Sequence, residues 1–117
     1  MRLNRILYLI ATLLCIISCD YRTASKTRFE RTTNIELSDS ITVIEDIFQE
    51  SGPDYGLSYK VSLTKNECLI LIDEVQKSPD WEQEGSEFEF YKTIDGIIYN
   101  ITFSSKECII TYYEDMV

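Results

Sequence analysis

The last third of the chain alternates apolar and polar residues, and this pattern does most to limit the folds it can adopt. The run EFEFYKTI places Phe88 and Phe90 on one side of an extended chain, because successive side chains of a strand point to opposite faces. The run IIYNITF repeats the pattern after Asp95-Gly96, a dipeptide typical of two-residue hairpin turns. A third run, CIITYYED, follows a short polar turn. We therefore predict an antiparallel meander over residues 87–114.

The middle of the chain predicts one more strand and a helix. The stretch GLSYKVSLT alternates in the manner of a strand with one buried face. Thr64 and Glu67 have the spacing of a capping box, in which each side chain accepts a hydrogen bond from the backbone N–H of the other residue. The apolar residues between Cys68 and Val75 then recur on one face of a helix, which Ser78-Pro79 should end.

Residues 38–50 carry two conflicting signals. Ile41, Ile44 and Phe48 recur at helical spacing, whereas residues 41–44 are all β-branched, which favours a strand. We predict a helix here. The expected fold is α+β: a four-stranded antiparallel sheet, made of one strand plus the C-terminal meander, packed by one or two helices. Residues 35–117 would form this single small domain.

The N-terminus has the arrangement of a secretory signal. Arg2 and Arg5 precede an apolar run over residues 6–17, and the small residue Ser18 follows that run. The run has the length of a signal-peptide core and is too short to cross a bilayer comfortably. We predict that residues 1–18 are a signal peptide.

The residues Ile16-Ile17-Ser18-Cys19 resemble the lipobox of bacterial lipoproteins. The resemblance implies that the chain is cut before Cys19, and that Cys19 is acylated on its sulfur and on its new amino group. Two or more acyl chains hold a protein stably on a membrane. The expected location is therefore the cell envelope, with a lipid anchor in the inner or the outer membrane, between which Asp20 does not decide.

Charge is divided unevenly along the chain. Residues 20–34 are polar and lack apolar periodicity, so residues 19–34 are predicted to form a lipidated N-terminus and a disordered tether. Residues 35–117 contain 18 acidic residues, five lysines and no arginine. Such an acidic body repels phosphates, which argues against nucleic-acid binding, whereas a basic protein is a candidate partner.

Cys68 and Cys108 are the cysteines that remain once Cys15 leaves with the signal peptide and Cys19 is acylated. They would form either a disulfide, as in many small exported domains, or two buried free thiols. The chain contains no histidine, so no imidazole is present to activate a catalytic thiol or to bind a transition metal. The sequence therefore indicates no catalytic residue, metal ligand or cofactor.

Residues 73–89 are rich in carboxylates. Such a cluster is most often a solvated surface, but it can also recognise a basic protein, and paired carboxylates occur in hydrolases and in sugar- or Ca²⁺-binding modules. The segment has no EF-hand spacing. The members of this candidate acidic patch are Asp73, Glu74, Asp80, Glu82, Glu84, Glu87 and Glu89.

The expected function is that of a membrane-anchored, non-enzymatic envelope lipoprotein that binds another protein or has a structural role. A narrower alternative is an immunity-like lipoprotein that neutralises a basic toxin through its acidic face. A small carboxylate-based hydrolase, or a sugar- or Ca²⁺-binding module, is the alternative from another class. The tyrosines of the meander either extend a binding face or, more commonly, form cross-strand pairs that stabilise a sheet. These tyrosines are Tyr91, Tyr99, Tyr112 and Tyr113.

Overall fold

The computed structural model of the protein describes residues 24–116. The predicted signal peptide and Cys19 lie outside these residues. Within residues 24–116, no helix has the length and apolar character needed to cross a membrane. The elements in chain order are α1 (Ser25–Thr33), β1 (Thr42–Ser51), β2 (Asp54–Ser62), α2 (Lys65–Lys77), β3 (Trp81–Glu84), β4 (Glu87–Ile94), β5 (Ile97–Ser104) and β6 (Ile109–Met116).

One antiparallel sheet contains all six of these strands, in the order β1-β2-β6-β5-β4-β3. The predicted α+β class is confirmed, and the predicted number of four strands was wrong. The meander β4-β5-β6 and the strand β2 form as predicted. The two strands that the sequence did not predict, β1 and β3, lie at the two edges of the sheet.

The helix predicted over residues 38–50 was wrong, because Thr42–Ser51 forms β1. The β-branched residues at its start lose side-chain freedom in a helix but pack well on a pleated surface. Gly52 adopts a φ of 63°, which lets the chain reverse directly into β2. The resulting hairpin pairs β1 with β2 along its length, and this pairing outweighs the helical spacing of three apolar residues.

The helix α2 begins and ends where the sequence predicts. Thr64 Oγ1 accepts a hydrogen bond from the Glu67 backbone N–H at 3.3 Å, and a Glu67 carboxylate oxygen accepts one from the Thr64 backbone N–H at 3.4 Å. These two bonds complete the capping box at the helix start. Cys68, Leu71 and Val75 are the buried residues of the helix, so its predicted apolar face is the face that packs on the sheet.

The disordered tether predicted over residues 19–34 was wrong for the part that forms α1. Phe29, the one large apolar residue of this helix, is fully buried, and its ring meets that of Tyr112 edge-on with 6.0 Å between centroids. Asn34 ends the helix in the left-handed conformation. No side chain caps the N-terminus of α1, so tertiary contacts rather than local signals stabilise the helix. The folded domain therefore includes residues 25–33 and does not begin at residue 35.

Both helices pack on the same face of the sheet and share one core with it. On that face the inward side chains of the four central strands are buried. Of residues 24–116, no helix covers the opposite face, and we call that face the open face. The buried side chains at the centre of the core are Leu57, Tyr59, Val61, Phe88, Phe90, Ile101, Phe103, Ile110 and Tyr112.

Candidate functional site

The open face carries the side chains that point away from both helices, and strand register places five of them in a row. Ile47 lies opposite Ser58, and Ser58 lies opposite Tyr113. Asn100 lies between Tyr113 and Tyr91, opposite each of them on its two neighbouring strands. We call these five residues the central row.

The large side chains of the central row are exposed to solvent. Ile47 is 45% exposed, Tyr113 is 49% exposed and Tyr91 is 58% exposed. Single exposed apolar residues are common on soluble proteins, whereas several aligned on one face are typical of a binding surface. Of the meander tyrosines, Tyr112 packs inside the core, whereas Tyr91 and Tyr113 lie exposed on the open face.

A groove follows β2 on the open face, because two small residues, Gly56 and Ser58, lie between larger side chains on the neighbouring strands. Ile47 lies on the β1 side and Tyr113 on the β6 side of this groove. Its volume is about 530 Å³. We call it the β2 groove, and the residues that line it are Glu45, Ile47, Gln49, Gly56, Leu57, Ser58, Ile98, Asn100, Tyr113, Glu114 and Asp115.

Four of the predicted acidic residues meet on the β3–β4 hairpin. Glu82 lies opposite Glu89, and Glu84 lies opposite Glu87. All four side chains are exposed, and we call them the acidic hairpin. Like charges directly opposite one another destabilise a strand pair, although charges on an edge strand also deter pairing with other chains. The acidic hairpin therefore has a structural explanation as well as a functional one.

The other three predicted acidic residues lie apart from the acidic hairpin. Asp73 pairs with Lys77 on α2 at 2.8 Å, and Asp80 pairs with Lys92 at 3.1 Å. Glu74 lines a separate cleft of about 840 Å³ between residues of the two helices. Exposed ion pairs of this kind contribute little to stability. The predicted patch is thus divided into one cluster of four glutamates and three separate carboxylates.

A buried carboxylate lies under α1, on the helix-covered face. Glu114 is 4% exposed, and its Oε2 accepts a hydrogen bond from Arg28 Nη1 at 2.5 Å and another from the Tyr55 hydroxyl. Its Oε1 accepts a hydrogen bond from the Tyr112 hydroxyl at 2.5 Å. The Arg28 guanidinium also lies over the rings of Phe48 and Tyr55, at 5.8 Å and 5.6 Å from their centroids. We call Arg28, Tyr55, Tyr112 and Glu114 the Glu114 cluster.

The tyrosines of the Glu114 cluster are poor proton donors in the acid–base sense. Burial, and next the hydrogen bond to Glu114, raise the pKa of Tyr55 to about 12. Burial and the same carboxylate also raise the pKa of Tyr112 above its ordinary value. Both hydroxyls therefore keep their protons at neutral pH and donate hydrogen bonds to Glu114. The cluster is suited to fixing α1 on the sheet, and neither phenol is poised for proton transfer near pH 7.

Sequence reasoning missed the Glu114 cluster. Arg28 and Glu114 are separated by 86 residues, and no local pattern connects them. One signal was present, because Glu114 continues the alternate positions of the buried Ile110 and Tyr112 and is thus a carboxylate on the inner face of a strand. An inward-facing carboxylate requires a donor set, which points to basic and hydroxyl-bearing residues elsewhere in the chain.

Cys68 and Cys108 are joined by a disulfide, with their Cα atoms 5.5 Å apart. The bond connects the first turn of α2 to the residue just before β6, where Cys108 has a φ of 55°. It pins α2 to the turn between β5 and β6. In this state neither sulfur is a thiolate that could act as a nucleophile.

Among residues 24–116, no group of three or more Cys, Asp or Glu side chains is arranged to hold a metal ion. The open face carries the exposed side chains of the central row and the β2 groove, and it is the surface of the described residues that best fits a binding role. No protein-family model matches the chain, and no curated protein or solved structure is significantly similar to it.

Proposed function

We propose that this protein is a membrane-anchored, non-enzymatic lipoprotein of the bacterial envelope that binds a basic protein through the open face. The observation that carries the proposal is the set of three large exposed side chains in the central row, Ile47, Tyr113 and Tyr91, aligned across a sheet face that no helix of residues 24–116 covers. Exposed apolar area of this kind gains free energy when a partner removes it from water.

The charges around the central row support a basic partner. Glu45 and Asp115 lie on the open face beside the row, and the acidic hairpin continues the negative surface to the β3 edge. Complementary charge accelerates encounter and fixes orientation, while the apolar row supplies contact area. A basic toxin is one such partner, and the acidic hairpin is the observation that favours this immunity-like variant.

The anchor in this proposal rests on the lipobox resemblance at Cys19. Only residues 20–24 separate that cysteine from the first residue of α1. A chain spans at most about 3.3–3.6 Å per residue, so these five residues keep the start of α1 within roughly 20 Å of the acylated position. The anchored domain would work close to the membrane surface, and its partner would be a protein that reaches this layer.

Site-specific photo-crosslinking in cells of the source bacterium tests the open face. A photoreactive amino acid at Tyr91 or Tyr113 should give a discrete adduct with a basic protein, identified by mass spectrometry. The same amino acid at Leu69 or Ile70, exposed residues of α2, is the matched control and should give none. The substitution Ile47→Glu should abolish the adduct. Adducts that form only from the α2 positions would overturn the proposed interface.

Fractionation tests the anchor separately. The substitution Cys19→Ala should release the protein from the membrane fraction, because it removes the acylated residue. The matched control Cys15→Ala, which changes a cysteine inside the predicted signal peptide, should leave the protein on the membrane. A Cys19→Ala protein that stays on the membrane would show that the anchor assignment is wrong.

A further inference from the structure

The β2 groove exists because Gly56 and Ser58 on β2 are small, whereas the side chains beside them on β1 and β6 are larger. A Cβ atom added at Gly56 would meet only Asp115 Oδ1, at 3.6 Å, which is ordinary van der Waals contact. Ser58, two residues along, adds only a hydroxymethyl group. The space above β2 is therefore open from Gly56 to Ser58, with Ile47 as one wall and Tyr113 as the other.

The lining of the groove combines apolar walls with anionic ends. Ile47, Ile98 and Tyr113 supply apolar and aromatic surface, while Glu45 and Asp115 supply carboxylates. Lysine and arginine match this combination, because their aliphatic stems cover apolar surface while their cationic heads seek anions or water. An aromatic ring in the wall adds attraction for a cation that lies over its face.

Asn100 gives the groove an acceptor that needs a donor. Its Oδ1 atom is buried and has no hydrogen-bond partner among the described residues. The residue lies beside Tyr113 on the open face and lines the groove. A buried acceptor without a partner costs free energy until a donor reaches it. An ammonium or guanidinium group carries several N–H donors and no acceptor, so it would bring to the groove the donor that Asn100 Oδ1 lacks.

Lys60 makes the two ends of the groove differ in negative charge. It lies opposite Glu45 on the neighbouring strand and offsets that carboxylate. Asp115 lies at the other end, opposite Gly56, which carries no side chain. The cationic head should therefore lie at the Asp115 end, with the stem toward Ile47.

We propose that the β2 groove is a binding site for the side chain of a lysine or arginine, presented by an extended segment of a basic partner protein. This inference rests on the proposed function, since it names the chemistry of the partner at the same open face. The occupant is a protein side chain rather than a free cation, because the apolar walls of the groove contact an aliphatic stem favourably and a metal ion has no such stem.

Peptide binding to the full chain, purified from membranes in neutral detergent, tests the groove. The probe is a fluorescent octapeptide of alternating lysine and threonine, titrated by fluorescence anisotropy. Its matched control has the same sequence with every lysine Nε-acetylated, which keeps the stems and removes the charges. We expect the acetylated peptide to bind at least about tenfold more weakly.

Variants of the chain locate the bound peptide. The substitution Gly56→Val fills the groove and should weaken binding by about tenfold or more, while Asp115→Asn should weaken it by about three- to tenfold. The matched control Glu107→Gln removes one exposed charge outside both the groove and the acidic hairpin and should change binding by less than about twofold. The variant Glu82→Gln tests whether the acidic hairpin binds the peptide instead. Circular dichroism and thermal melting of each variant establish that its fold is intact.

Three results would contradict the proposal that the β2 groove binds a lysine or arginine side chain. One is equal binding of the lysine and acetyl-lysine peptides. Another is full binding by the Gly56→Val and Asp115→Asn chains, with loss in Glu82→Gln, which would move the basic site to the acidic hairpin. The third is no binding of the lysine peptide at all. If adducts still form from Tyr113 in cells in that case, the groove fails while the proposed function stands. If the peptide fills the groove but no adduct forms, the proposed function fails instead.

Discussion

The two helices lie on the same face of one sheet, yet different interactions hold them there. α2 has a complete capping box, an apolar stripe at helical spacing and a disulfide to the turn between β5 and β6. α1 has no side-chain N-cap, a single buried aromatic residue and long-range polar contacts to the sheet, of which the Glu114 cluster is the largest group. α2 is therefore encoded mostly by its own residues. α1 becomes stable only when the sheet supplies its partners.

This difference predicts where each helix is vulnerable. Removing one local feature of α2 leaves its apolar stripe and its disulfide in place. Removing the carboxylate under α1 affects three donors at once, and two of them, Arg28 and Tyr55, belong to segments far apart in the chain. The comparison thus predicts that the largest effects come from α1 and the smallest from the helix caps.

The substitution Glu114→Ala should destabilise the protein most. Removing one partner of a buried ion pair costs about 3–5 kcal/mol, because buried donors lose their acceptor where water does not replace it. Urea unfolding followed by circular dichroism measures the change. The double variant Arg28→Ala/Glu114→Ala should cost less than the sum of the two single changes. Additive effects would show that the Glu114 cluster does not hold α1.

The substitution pair Cys68→Ala/Cys108→Ala should have the next largest effect. The bond closes a loop with a sequence separation of 40, and the chain-entropy model gives a stabilisation on the order of 3–4 kcal/mol for such a loop. Urea unfolding again measures the loss, and the unsubstituted protein in a reducing agent should match the double variant. A loss below about 1 kcal/mol would mean that the packing of α2 is sufficient without the bond.

The elements with local signals were predicted correctly. The capping box at Thr64 and Glu67 marked α2, and Asp95-Gly96 marked the β4–β5 hairpin, where both residues have positive φ. The errors came from segments whose structure depends on contacts with residues outside the segment itself. β1 has apolar residues at helical spacing and becomes a strand because β2 lies beside it. α1 has one large apolar residue and becomes a helix because Glu114 and Tyr112 on the sheet contact its side chains.

The same limit applies to the candidate site. The carboxylates of residues 73–89 were visible in the sequence, but only four of them meet, because strand register decides which side chains are opposite. The central row joins residues from five different strands, so no window of the sequence contains it. The groove depends on the small residues Gly56 and Ser58. They leave a groove only because larger side chains lie beside them on the neighbouring strands, and the sequence does not show which residues those are.

Alkaline pH should weaken the α1 anchor in a defined window. The pKa of Tyr55 rises from its ordinary 10.0 to about 12 in the folded protein, through burial and the Glu114 carboxylate. The folded state therefore keeps a proton that the unfolded chain loses. The stabilisation is fully present below pH 10 and is lost as the pH rises from 10 through about 12.

The substitution Tyr55→Phe tests this window, because phenylalanine has no proton to lose. Urea unfolding between pH 8 and pH 12 should show a smaller decline of stability for Tyr55→Phe than for the unsubstituted protein. Some decline should remain, since the pKa of Tyr112 is also raised. Parallel declines for the two proteins would mean that the Tyr55 hydroxyl contributes nothing to the pH dependence.

The substitution Thr64→Ala should cost about 1 kcal/mol, the usual effect of losing a side-chain N-cap. Glu67 would also lose a hydroxyl donor, although Ser38 and Ser40 still donate to its carboxylate at 2.5 Å and 2.8 Å. Thermal melting detects a change of this size. A loss as large as that of Glu114→Ala would contradict the view that α2 rests on several independent interactions.

The substitution Ala24→Ser should have the smallest effect and the opposite sign. Ala24 occupies the N-cap of α1 in an extended conformation, φ −58° and ψ 144°, but its methyl group accepts no hydrogen bond. A serine hydroxyl there would accept one from a backbone N–H of the first turn and stabilise the protein by about 0.5–1 kcal/mol. Serine is preferable to aspartate, because Ser25 already donates to Asp46 at 2.6 Å and a second carboxylate would lie near it. Differential scanning calorimetry of Ala24→Ser beside Thr64→Ala measures both caps. A gain at α1 that matches the loss at α2 would mean that α1 lacks only a cap; no gain would mean that its start is held by the sheet alone.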